Sequence, residues 1–192
     1  MKRKIAIIGS GSWGCALAIH AAKMGHEVKI WSFLQEEADI INQKRKCKFL
    51  PMAIMPDNIV CTTNIQEAVE NTDLILHVTP SRFFRSTLKQ YKDYITTQPV
   101  IICSKGFEQE TLSTLSKVAE EEIPNVKIGA LSGPSHAEEV CIDIPTAIVI
   151  ASKDEDVQYQ VQDTLMNENL RVYTSNDVEG VELGGALKNI IA

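Results

Sequence analysis

Ile5-Ala6-Ile7-Ile8-Gly9-Ser10-Gly11-Ser12-Trp13-Gly14-Cys15-Ala16-Leu17-Ala18-Ile19-His20-Ala21-Ala22 decides the fold. A short β-branched run, which reads as a buried strand, passes straight into a G-x-G-x-x-G turn and then into a helix of small apolar residues. The glycines serve different physical ends. Gly9 permits the tight turn, Gly11 lets backbone come close to a pyrophosphate, and Gly14 lets the helix pack against the strand. The unpaired N–H groups at the start of the helix face the same place and favour an anion. A lone G-x-G-x-x-G is weak evidence for a dinucleotide site; flanked by a strand, a helix and a second strand, it outweighs a bare strand-turn-helix connection.

Outward from this loop the pattern repeats. Strands are expected at 4–8, 27–31, 59–62, 74–78, 100–103, 127–131, 146–151 and 171–174, their continuous apolar character implying burial on both faces. Helical patterns fall between them at 12–24, 35–45, 65–70, 82–92, 111–122, 154–166 and 176–191, while the polar stretch 44–58, with Pro51 and Pro56, reads as a loop. The alternation predicts an α/β, Rossmann-type doubly wound, mostly parallel sheet. The division expected is a dinucleotide-binding domain over 1–175 and the start of an interdomain helix over 176–192, with Asn176 and Glu179 marking the helix start. Asn189-Ile190-Ile191-Ala192 holds no helix stop signal, so the sequence is expected to be cut before an absent domain.

Composition narrows the class. With 44% hydrophobic residues the 192-residue chain can bury an ordinary core, and a net charge of -6, from 25 acidic against 19 basic residues, argues against a nucleic-acid coat protein. Five scattered cysteines without a C-x-x-C pair suit a reducing cytoplasm better than a disulfide framework or zinc site. No metal site and no integral membrane contact are expected. The basic start Met1-Lys2-Arg3-Lys4 is not expected to be a leader, because its apolar run stops at Gly9.

Ligands of open α/β sheets sit at the carboxyl ends of the strands. There, Ser104-Lys105-Gly106 offers an ammonium beside a glycine turn, or merely a surface lysine. Ser132-Gly133-Pro134-Ser135 offers free N–H groups and a hydroxyl, or merely an ordinary helix cap. Val181, Gly184, Gly185 and Lys188 share one helical face, where two glycines make a groove. Packing and catalysis are equally served by that face; a lysine there, partly desolvated, can act as general acid and base. The second strand ends Trp31-Ser32-Phe33 without the carboxylate that usually holds the ribose 2′-hydroxyl, and Lys44-Arg45-Lys46 reads as a solvated charge run rather than a 2′-phosphate site. His20, His26 and His77 have no metal-ligand partner at suitable spacing, and His136 is given no catalytic role.

Together, the glycine loop, Phe49-Leu50-Pro51, Ser104-Lys105-Gly106, Ser132-Gly133-Pro134-Ser135-His136-Ala137 and Gly180-Val181-Glu182-Leu183-Gly184-Gly185-Ala186-Leu187-Lys188-Asn189 resemble the bacterial type of NAD(P)-dependent glycerol-3-phosphate dehydrogenase over the whole length given. The resemblance implies reversible reduction of dihydroxyacetone phosphate to sn-glycerol 3-phosphate, the backbone precursor of phospholipids, with NAD or NADP as cofactor. It assigns Lys188 as proton donor and acceptor and Lys105 as its electrostatic assistant. Lys105, Gly133, Ser135 and Lys188 become substrate contacts; Ser12, Trp13, Phe33, Lys105 and Ala137 join Gly9, Gly11 and Gly14 as cofactor contacts. It allows a homodimer of the full-length protein. Phe33 stands where the family often has a basic or polar residue, so the choice between NAD and NADP stays open. Family members continue into a helical domain whose Arg-Asn pair grips the substrate phosphate, and a chain ending after Lys188 is expected to bind dinucleotide weakly and turn over poorly. Two rivals are a β-hydroxyacid dehydrogenase, against which the Lys105-Gly106 and Gly133-Pro134-Ser135 blocks speak, and a non-catalytic dinucleotide-binding module.

Overall fold

One eight-stranded sheet organises the computed structural model, which describes residues 1–191, with side chains through Lys188. Its strands are β1 (Lys4–Ile8), β2 (Glu27–Trp31), β3 (Ile59–Thr62), β4 (Leu74–His77), β5 (Val100–Ile102), β6 (Ile128–Ser132), β7 (Thr146–Ala151) and β8 (Leu170–Ser175), in the order β3-β2-β1-β4-β5-β6-β7-β8. All neighbours pair in parallel except β6 with β7. The chain leaves β1 towards β2 and β3, then returns to place β4 on the other side of β1, so the strand order reverses there and opens a crevice at the carboxyl edge.

Alternate residues of β1 feed two cores. Ile5 and Ile7 pack with α1 (Ser12–Lys23), α2 (Gln35–Lys44), α6 (Ala137–Val140) and α7 (Glu155–Leu165). Ala6 and Ile8 pack on the opposite face with α3 (Ile65–Val69), α4 (Phe84–Tyr91) and α5 (Leu115–Glu122). The doubly wound, mostly parallel sheet is therefore as the sequence implies. Burial on both faces, however, does not extend to the edge strands: Val60 of β3 and Tyr173 of β8 are exposed, because no neighbour covers an outer face there.

Three helix boundaries differ from expectation for local reasons. The pattern at 111–122 becomes helical only from Leu115, since Glu108, Thr111 and Leu112 close a turn with Leu112 at φ 58°, and Arg85 grips Glu108 at 2.6 Å. The 82–92 pattern begins as a single tight turn, Ser81–Phe83, before α4. The last helix, α8 (Val178–Ile191), starts later than Asn176. Asp177 is its cap, accepting the Gly180 N–H at 2.8 Å, whereas the Asn176 side chain is taken by Gln158 at 2.6 Å. The side chains of Asn189, Ile190 and Ile191, and Ala192 as a whole, lie outside the described residues, and with them the apolar ending.

Candidate functional site

At the switch point the three loop glycines meet three different constraints. Gly9 sits at φ 125°, a conformation that favours glycine, and its N–H donates to the Trp31 carbonyl at 3.0 Å. A Cβ on Gly14 would stand 2.1 Å from the Gly9 carbonyl oxygen, so helix and turn can approach only through glycine. A Cβ on Gly11 would meet nothing within 4 Å; it would project into open space. Gly11 also caps α1 without a side-chain bond, so no side chain satisfies the first-turn N–H groups. This open space belongs to a crevice of about 700 Å³, the size of small-molecule sites, floored by the glycine loop and walled by Trp31, Phe33, Val78, Pro80 and Phe83. Ser12, Trp13, Lys105, Ser135, His136 and Ala137 also line it.

The end beneath β2 holds a residue that sequence reasoning passed over. Ser32 is fully buried where a ribose-binding carboxylate is usual, and a carboxylate arrives instead from the first turn of α2. Glu37 Oε2 accepts hydrogen bonds from Ser10 Oγ at 2.5 Å and Ser32 Oγ at 3.1 Å, and Glu37 lines the crevice. The signal was legible: an acidic residue in the first turn of the helix after β2 faces back towards that strand's carboxyl edge. Phe33, 79% exposed, forms the rim with its ring edge-on to Trp31. Of the basic run, the Arg45 guanidinium is spent on the carbonyls of Met55, Pro56 and Ile59, while Lys44 and Lys46 are exposed and outside the crevice lining.

At the opposite end two lysines converge on the turn after β6. Lys105 Nζ donates to the Gly133 carbonyl at 3.5 Å and lies 6.0 Å from the Trp13 ring centroid; Lys188 Nζ donates to the Ser135 carbonyl at 3.0 Å. Burial, and then the Lys188 charge, lower the Lys105 pKa. Gly133 and Lys188 line a smaller hollow with Ser132, Gly184 and Gly185, linked to the main crevice through Ser135. Gly133 also has a packing duty, since a Cβ there would press on Ala147 O and Ile148 Cα at 2.9 Å. Three buried polar atoms here have no partner among the described residues: Trp13 Nε1, Ser132 Oγ and Ser135 Oγ. Orphaned groups of this kind are costly unless a ligand or water completes them. Of the three, Ser132 is named from the sequence only as the start of the 132–135 turn, with no contact of its own assigned to it.

The other histidines hold the fold together. His77 bridges Tyr91 at 2.8 Å and Thr79 at 2.7 Å, and burial lowers its pKa to about 3; His20 and His26 bond the carbonyls of Leu165 and Thr164.

A sequence profile described as NAD-dependent glycerol-3-phosphate dehydrogenase N-terminus matches residues 4–158. The chain belongs to this glycerol-3-phosphate dehydrogenase family. Within it, "Glycerol-3-phosphate dehydrogenase [NAD(P)+]" of Fusobacterium nucleatum is 46% identical over 98% of this chain and 58% of its own length. The counterpart from Agathobacter rectalis is 44% identical over 98% of this chain and 57% of its own length. The crystal structure of glycerol-3-phosphate dehydrogenase from Coxiella burnetii superposes with a TM-score of 0.94 at 32% identity, covering 99% of this chain and 59% of that one. The chain thus spans little more than half the length of the relatives it matches.

Proposed function

We propose that this chain is the cofactor-holding part of an enzyme that reversibly reduces dihydroxyacetone phosphate to sn-glycerol 3-phosphate for phospholipid synthesis. The observation that carries the reading is the convergence of Lys105 and Lys188 on the 133–135 turn, beside a glycine-lined crevice. The crevice fits a nicotinamide dinucleotide: Gly11 leaves room that a Cβ would fill, and the start of α1 offers unpaired N–H groups to a pyrophosphate. Gly9, Gly11, Ser12, Trp13, Gly14, Phe33, Lys105 and Ala137 would hold NAD or NADP, whose reduced ring supplies a hydride to the ketone carbon when bound.

The chain's own residues do the rest. Lys188 Nζ protonates the ketone oxygen as negative charge develops on it, and takes the proton back in the reverse direction. Lys105 holds a second positive charge over the same oxygen, and the Ser135 hydroxyl and Gly133 position the substrate. Residues 1–175 form the dinucleotide domain, and 176–192 begin the connection to the substrate domain of the full-length protein, where a homodimer is allowed. The five buried free cysteines favour the cytoplasm, and among the described residues no helix is long and apolar enough to cross a membrane.

Steady-state kinetics of the full-length protein test the proposal. Lys188→Met lowers kcat for dihydroxyacetone phosphate by about 10²- to 10⁴-fold, while the Kd for reduced cofactor is kept. An unchanged rate, or a preference for β-hydroxyacids, would overturn it.

A further inference from the structure

The β2 end of the crevice bears on which dinucleotide the site takes, an inference that rests on the dinucleotide reading above. Selection for a 2′-hydroxyl usually comes from a carboxylate at the tip of the second strand; selection for a 2′-phosphate comes from a nearby arginine. Here the tip residues are Ser32 and Phe33, neither charged. Glu37 reaches the same place from α2, and its orientation is fixed rather than left to solvent. Ser10, inside the glycine loop, and Ser32, at the end of β2, both donate to Oε2, and the Leu34 N–H in turn supports Ser32 Oγ at 3.3 Å. Oε1 has no protein partner among the described residues and stays available to a ligand.

The electrostatic setting points the same way. Among the described residues no lysine or arginine lines this end: Arg45 is bound to carbonyls, Lys44 and Lys46 are outside the lining, and Phe33 presents only a ring. The cation that does line the crevice, Lys105, follows β5, three strands from β2 and so roughly 14 Å away across the sheet. A dianionic 2′-phosphate placed here would meet a fixed carboxylate without a compensating charge.

We propose that Glu37 replaces the strand-tip carboxylate: its Oε1 accepts a hydrogen bond from the adenosine ribose 2′-hydroxyl, its charge repels a 2′-phosphate, and the crevice therefore selects NADH over NADPH.

Calorimetric titration of the chain with NADH and NADPH separately, for the wild type and Glu37→Gln, tests this. Glutamine keeps an oxygen for the two serine hydroxyls and removes only the charge. The wild type binds NADH at least about tenfold more tightly than NADPH, and Glu37→Gln narrows the ratio to about threefold or less, chiefly by tightening NADPH. A purely structural role for Glu37 would not strengthen binding of either ligand. The wild-type preference also shrinks as salt screens the repulsion. Equal affinities in the wild type, an NADPH preference, or a ratio unchanged in Glu37→Gln would overturn the role of Glu37 while leaving the dinucleotide site standing. Failure of both cofactors to bind would instead sink the dinucleotide reading, and this inference with it.

Discussion

The glycines of the loop separate fold from function at single positions. Gly14→Ala drives a methyl to 2.1 Å from a backbone oxygen that cannot move cheaply, so it destabilises the chain by about 2 kcal/mol or more in urea denaturation. Gly11→Ala meets no protein atom and leaves the urea midpoint nearly unchanged, yet it weakens dinucleotide binding because its methyl occupies the crevice. The motif already gives each glycine its own duty; the packing adds which of them has no room for a methyl and which has. The paired lysines make a second residue-scale prediction. Lys105 has its pKa lowered first by burial and second by Lys188, so removing that neighbour's charge in Lys188→Met moves the Lys105 titration upward, though only part of the way to an exposed lysine. Titration of carbon-labelled lysines by NMR reads this directly; an unmoved or lowered value would show that the two ammonium groups do not interact. Glu37 escapes a reading of the sequence that looks only at the strand tip, because the carboxylate that matters is carried in by the next helix.

Helix α8 carries Lys188, and its placement depends on contacts far from that lysine in sequence. Glu182 accepts the Ser116 N–H at 2.9 Å and the Ser116 hydroxyl, acting as a cap for α5 donated by another helix. Glu182→Ala leaves that first-turn N–H without its partner, at a cost of about 1–3 kcal/mol measured by urea denaturation. The two adjacent glycines, which from sequence alone make a groove that serves packing and catalysis equally, differ once the helix is seated on β6. A Cβ on Gly185 would lie 2.5 Å from Ser132 Oγ, whereas one on Gly184 meets nothing within 4 Å. Gly184→Ala is therefore neutral or stabilising by up to about 1 kcal/mol, and Gly185→Ala is destabilising. Strands were legible because continuous β-branched runs have few alternatives, and all eight lie within about one residue of their expected places. Helix starts were less legible. Whether Asn176 or Asp177 caps α8 is decided by Gln158 binding the first of them, a partner no local pattern reveals.

At the scale of the whole molecule, buried neutral histidines link stability to pH. His20, His26 and His77 all have pKa values lowered chiefly by burial, His77 to about 3. The unfolded chain takes up protons near the ordinary histidine value of about 6.5, which the native state refuses, so stability is full above that pH and falls as pH drops below it. The urea midpoint at pH 5.5 is accordingly lower than at pH 7.5, each fully suppressed histidine contributing about 1 kcal/mol per pH unit; a midpoint that rises on acidification would contradict the assignment. Every functional role proposed for these residues depends on the crevice at the strand-order reversal being a dinucleotide site, and the molecule carries its own probe of that. Both of its tryptophans, Trp13 and Trp31, line the crevice. Titration with NADH, exciting tryptophan and watching nicotinamide emission, should give saturable single-site energy transfer that Gly11→Ala sharply weakens while the fold is retained. No energy transfer at any NADH concentration, or transfer indifferent to Gly11→Ala, would contradict a dinucleotide site there.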